Sequence, residues 1–102
     1  SLSYLPNLEE LFATGNKIKK TGDLSKCKKL QELDLSRNQI SDLSGLANLP
    51  NLQILDISQN HLKTLKSVGK LRSMEQLNIN ANVVQELSSF ASLFPNLQIL
   101  FA

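Results

Sequence analysis

The chain has 102 residues, 41% of them hydrophobic and 20% charged, and its formal net charge is +2. Such a chain makes one small domain with a buried core, and so mild a charge does not by itself require a nucleic acid or a membrane as partner. No apolar run reaches the roughly 18 residues that span a bilayer. The single cysteine rules out an internal disulfide, and none of the ten asparagines lies in an N-x-[ST] acceptor site. Together these features point to a reducing, intracellular and cytoplasmic setting.

The chain opens on Leu2, Leu5, Pro6 and Asn7, in register with Leu46, Leu49, Pro50 and Asn51, so residues 1–7 read as the tail of a repeating unit. The first full unit, 8–29, carries Asn16 and is atypical, with Ala13, Thr21 and Cys27 where later units have leucine-like residues. Atypical units are expected near the end of an array. Cys27 reads as a small buried hydrophobe rather than a reactive or metal-binding thiol. The second unit, 30–51, runs Leu30, Leu33, Leu35, Ile40, Leu43, Leu46, Leu49 around Asn38. The third, 52–73, runs Leu52, Leu55, Ile57, Leu62, Leu65, Val68, Leu71 around Asn60. The fourth, 74–96, runs Met74, Leu77, Ile79, Val84, Leu87, Phe90, Leu93 around Asn82. Leu8, Leu30, Leu52 and Met74 are 22 residues apart, and Leu97 follows after 23 to begin a partial unit, 97–102. The words PNLQIL recur unchanged at 50–55 and 95–100. A fixed period of this size marks a solenoid, in which each unit buries its apolar side against its neighbours.

Within a unit the spacing changes once. Leu33-x-Leu35 has period two, which predicts a short strand with both leucines on one side. After the asparagine the spacing lengthens to three, which suits helical or 3₁₀ turns on the far side of the coil. Stacked strands give a parallel sheet, and the bulkier turns behind it make the sheet the concave face. Asn16, Asn38, Asn60 and Asn82 stand where each strand turns away. There an amide that both donates and accepts can serve backbone groups that water cannot reach.

The stretches LQELDLSRNQI and LQILDISQNHL resemble the L-x-x-L-x-L-x-x-N-x-[IL] consensus of leucine-rich repeats, over essentially the whole chain. The 22-residue length is similar to the class typified by the regulatory subunit of type 1 protein phosphatase, dynein light chain 1 and bacterial internalins. The resemblance implies an α/β fold: a right-handed leucine-rich repeat solenoid with a parallel sheet on the concave face and short helical or 3₁₀ turns on the convex face. It implies one non-enzymatic domain, 1–102, that binds another protein, such as a phosphatase-like enzyme or a cytoskeletal component. It does not choose among ligands, because the family shares a scaffold.

Nothing in the chain assembles into chemistry. His61, the one histidine, follows Asn60 at a variable, solvent-facing slot without a Cys or His companion at ligand spacing. Val68-Gly69-Lys70-Leu71 lacks the other residues of a phosphate loop. No cofactor, metal or nucleophile–base pair is expected.

If the ladder leucines point inward, the alternate strand residues face outward: Glu10, Phe12, Thr14; Glu32, Asp34, Ser36; Ile54, Asp56, Ser58; Gln76, Asn78, Asn80; Ile99, Phe101. Glu10, Glu32, Asp34 and Asp56 form an acidic patch without a lysine or arginine among these positions, while Phe12, Ile54, Ile99 and Phe101 are apolar where the repeat does not require it. An apolar anchor among polar groups is an interface pattern, so the expected partner-binding residues are these together with Gln76 and Asn78. Lys17, Lys19, Lys20, Lys26, Lys28 and Lys29 crowd the first unit, and Lys63, Lys66, Lys70 and Arg72 the third. They read as solubilising. The alternative is an adaptor that meets a nucleic acid or an anionic surface through the lysine-rich first unit, a version weakened by the lack of interleaved aromatics. A third reading is a bacterial, internalin-like surface or effector module, to whose wording NQISDLSGLANL (38–49) is close. Both ends read as cuts through a longer array, with Val84, Leu87 and Phe90 short of an outer neighbour, so flanking repeats or caps of the same longer chain are expected.

Overall fold

A computed structural model of the chain describes residues 7–19, 21–47, 49–65, 68, 71–82 and 94–101. Five three-residue strands form one parallel sheet in chain order: β1 (Glu10–Phe12), β2 (Glu32–Asp34), β3 (Ile54–Asp56), β4 (Gln76–Asn78) and β5 (Ile99–Phe101). The register follows the repeat, since Leu11, Leu33, Leu55, Leu77 and Leu100 are partners across successive strands. Among the described residues two 3₁₀ turns, Gly22–Lys26 and Ser44–Leu46, stand opposite the sheet where the spacing lengthens to three. The expected parallel sheet and short convex turns are therefore both present in a solenoid.

The core is the leucine ladder. Leu30, Leu33, Leu35, Ile40, Leu43, Leu46 and Leu49 of the second unit are all buried, as are Leu52, Leu55, Ile57, Leu62, Leu65, Val68 and Leu71 of the third. Cys27 is fully buried, and burial pushes its thiol above the usual range. Leu8, Leu11, Ala13 and Ile18 of the first unit are only partly buried against this core.

One expectation needs correcting. Phe94, not Leu93, holds the slot of Leu71: the Phe94 carbonyl accepts the Leu97 N–H at 3.2 Å, as the Leu71 carbonyl accepts that of Met74 at 3.2 Å. The additional residue of the 23-residue unit therefore lies before Phe94; Leu93 itself, with Val84, Leu87 and Phe90, is outside the described residues. Leu100 holds its expected ladder slot beside Leu77 and is 40% exposed, because no further turn packs on it among the described residues. Ser36 and Ser58 hold outward slots yet are buried, each hydroxyl donating to the aspartate two residues before it, at 2.7 and 2.6 Å. Leu2, Leu5, Pro6, Lys20, Lys66, Gly69, Lys70 and Ala102 also lie outside the described residues.

Candidate functional site

Two side-chain columns cross the outward face of the sheet, set by the strand register. One runs Glu10, Glu32, Ile54, Gln76, Ile99, and the next runs Phe12, Asp34, Asp56, Asn78, Phe101. Partners in neighbouring strands are about 4.8 Å apart, so the face is a ruled surface whose chemistry changes strand by strand. The ten expected partner-binding residues all lie in these two columns. Phe12 is 60% exposed, Phe101 48% and Ile99 41%, whereas Ile54 is half-buried between the flanking strands. Glu10 is exposed, and Glu32, Asp34, Asp56, Gln76 and Asn78 are half-buried. Ile54, Asp56, Gln76, Asn78 and Phe101, with the Leu55 and Leu77 backbone, line a shallow hollow of about 120 Å³.

The aspartates have a task in the fold as well. Asp34 Oδ1 accepts the Ser36 N–H at 2.9 Å, and Asp56 Oδ1 accepts the Ser58 N–H at 3.0 Å. In the next strand Asn78 Oδ1 accepts the Asn80 N–H at 3.0 Å. An acceptor at this slot closes the turn out of the strand, a duty that carboxylate and amide perform alike. Thr14 joins the first two units by donating from Oγ1 to the Ser36 carbonyl at 3.0 Å.

Behind this face run the asparagines. Asn38 Nδ2 donates to the carbonyls of Ala13 (3.1 Å), Leu35 (2.9 Å) and Ser36 (3.1 Å), while its Oδ1 accepts the Ile18 N–H at 3.1 Å. Asn60 does the same with Leu35, Ile57, Ser58 and the Ile40 N–H, and Asn82 with Ile57, Ile79, Asn80 and the Leu62 N–H. Asn16 is exposed and, among the described residues, donates to the carbonyls of Ala13 and Thr14 of its own loop. Among the described residues no buried side-chain nitrogen or oxygen lacks a hydrogen-bond partner.

Sequence reasoning missed two other sets of contacts. Asn51 Nδ2, Ser73 Oγ and Asn96 Nδ2 donate to the carbonyls of Lys28, Pro50 and Arg72 at 3.2, 2.6 and 2.7 Å, a second staircase between units. The repeated words PNLQIL held the signal, because the asparagine in each copy makes this contact. Thr21, taken for a departure from the pattern, is buried, donates to the Asp42 carbonyl at 3.2 Å and accepts the Gly45 N–H at 3.1 Å.

The cations lie elsewhere. Lys17, Lys19, Lys26, Lys28, Lys29, Lys63 and Arg72 are exposed, as is His61. Among the described residues no three His, Cys, Asp or Glu side chains gather as metal ligands, and no helix is long and apolar enough to cross a membrane.

Known proteins show the same architecture. The family model described as Leucine Rich repeats (2 copies) matches residues 6–48 and 50–92. No curated protein matches the chain. The crystal structure of internalin C2 from Listeria monocytogenes is 31% identical with a TM-score of 0.80, over 97% of this chain and 43% of that one. A Leptospira interrogans leucine-rich repeat protein is 30% identical with a TM-score of 0.85, over 96% of this chain and 26% of that one. A second Listeria monocytogenes internalin, InlF, is 27% identical with a TM-score of 0.64, over 97% of this chain and 36% of that one. The chain thus spans less than half the length of each of these structures.

Proposed function

Because the chain belongs to the leucine-rich repeat family, typically a family of non-enzymatic interaction modules, we propose that it binds a partner protein on its concave face. The observation that carries this reading is the exposure of Phe12, Ile99 and Phe101 on a strand surface whose other outward residues, half-buried Ile54 apart, are polar. Large apolar side chains in water are unfavourable, and the repeat does not require them there. The remaining proposed contacts are Glu10, Glu32, Asp34, Ile54, Asp56, Gln76 and Asn78. A pull-down comparing the intact face with one carrying lysine at positions 32, 34 and 56 tests it: the charge-reversed face should lose its partners. Equal recovery by both would exclude the concave face.

Two other readings are tested alongside. The likeness to the internalins favours a surface or effector module, which cell fractionation would place outside the cytoplasm proposed from cysteine usage. An anionic partner would use the exposed Lys19, Lys28 and Lys29 with Lys20. Glutamine at these four positions should leave binding intact if they only solubilise, whereas a large loss of RNA or anionic-lipid affinity, steeply salt-dependent, would favour the adaptor.

A further inference from the structure

The outward face is divided along the array. Toward β1 it is acidic, with Glu10, Glu32 and Asp34 in neighbouring register positions and Asp56 one strand on. Toward β5 it gains apolar groups, with Ile54 and Phe101 lining the hollow of about 120 Å³ beside Asp56, Gln76 and Asn78. For scale, a dry cavity of about 150 Å³ accepts one benzene, so the hollow suits a single apolar side chain. Asp56 belongs to both halves, as one wall of the hollow and as the register partner of Asp34.

The turn geometry bears on what the acids can bind. In both Asp34 and Asp56 the Oδ1 atom accepts an N–H and a hydroxyl from the serine two residues on, at 2.9 and 2.7 Å and at 3.0 and 2.6 Å. Among the described residues no donor reaches the second oxygen of either. Two carboxylates about 4.8 Å apart are thus held in place by their own turns, each with one oxygen remaining. Like charges on neighbouring strands of one sheet face repel, and neither outward column contains a lysine or arginine. Arginine relieves that repulsion best, because its guanidinium forks onto carboxylates and stacks on aromatic rings such as Phe12 and Phe101.

We infer that the face takes a cationic peptide segment of its partner, with one apolar side chain seated in the hollow between β3 and β5 and neighbouring arginines or lysines over Asp56 and Asp34. This deepens the concave-face reading and rests on it. The carboxylates that attract such a segment repel nucleic acid and anionic lipid.

Selection of a random-peptide display library on the chain tests the inference. Recovered peptides should carry arginine or lysine within a few residues of one apolar residue. Their affinity should fall about tenfold in the D34N/D56N variant, the expected effect of removing two partly exposed charge pairs. Asparagine retains the turn acceptor, as Asn78 does, so an unchanged circular dichroism spectrum will certify the fold. Acidic or uncharged peptides that lose binding on Phe101→Ser would overturn the cationic assignment and leave the concave-face reading standing. Peptides indifferent to both variants, or an empty selection, would overturn both.

Discussion

The buried amide of Asn38 serves three carbonyls and accepts the Ile18 N–H, so its loss strands that N–H and takes one donor from each carbonyl. Asn38→Leu is therefore expected to cost about 1–3 kcal/mol in urea unfolding. Asn16→Leu should cost much less, because Asn16 is exposed and its partners lie in its own loop; equal losses would refute the bridging role. Cys27 provides a pH test. Its thiol is raised by burial from the ordinary value of 9.0, so the neutral form is favoured in the folded state. That contribution is complete below 9.0 and is lost as pH rises through the folded value, because the unfolded thiol ionises first. Stability should fall as pH rises from 9.0 towards the folded value more steeply in the parent than in Cys27→Ala, and parallel curves would exclude the effect. Both residues were legible from the 22-residue step. The residue before each asparagine was not. Gly15, Arg37, Gln59 and Ala81 all have positive φ, 74°, 57°, 54° and 57°, yet share no side-chain chemistry. The corner imposes a backbone conformation, and only Gly15 meets it without steric cost.

Each strand is only three residues long, because period two lasts only from one ladder residue to the next before the turn begins. What ends it is an acceptor two residues before the turn N–H, supplied by Asp34, Asp56 and Asn78 in successive units. The array thus contains its own aspartate-to-asparagine substitution. Changing Asp34 and Asp56 together to asparagine should leave the melting temperature unchanged or slightly raised, since the turn bonds persist and a like-charge pair about 5 Å apart disappears. Asp34→Ala should lower stability by about 1 kcal/mol through the unpaired Ser36 N–H. A clear loss in the double asparagine variant would mean that the charge itself supports the turn. The two outward columns were legible because strand side chains alternate. The burial of Ser36 and Ser58 was not, because a small hydroxyl on an outward slot can bond a neighbouring carboxylate, and alternation carries no information on that. Phe94 was misplaced for a related reason: one additional residue between Asn82 and Leu97 can be absorbed at several points, and only the hydrogen bond back from Leu97 fixes where.

At the scale of the molecule the asparagines form one connected chain. The Ala13 carbonyl receives Asn16 and Asn38, at 2.9 and 3.1 Å. The Leu35 carbonyl receives Asn38 and Asn60, at 2.9 and 3.0 Å, and the Ile57 carbonyl receives Asn60 and Asn82, at 3.0 and 2.9 Å. Each carbonyl has two lone pairs, and here both are used, one by its own unit and one by the next. This sharing was invisible in the sequence, where the column gave the positions of the amides but not which oxygens they serve. Sharing has an energetic signature. Removing Asn38 leaves the Leu35 carbonyl bonded to Asn60, and removing Asn60 leaves it bonded to Asn38, so either single change keeps this acceptor paired. Removing both strands it inside the corner. The double variant N38A/N60A should therefore lose more stability than the two single variants summed, by about 0.5–1 kcal/mol, within the range found for residues that share a partner. Asn16 and Asn60 share no carbonyl and are separated by two strand spacings, about 10 Å. N16A/N60A should then be additive to within about 0.5 kcal/mol. Chemical-denaturation cycles on both pairs decide the matter: additivity in the adjacent pair would mean that the shared carbonyl does not couple neighbouring units, while excess loss confined to that pair would show the polar spine coupling each turn to its neighbour and no further.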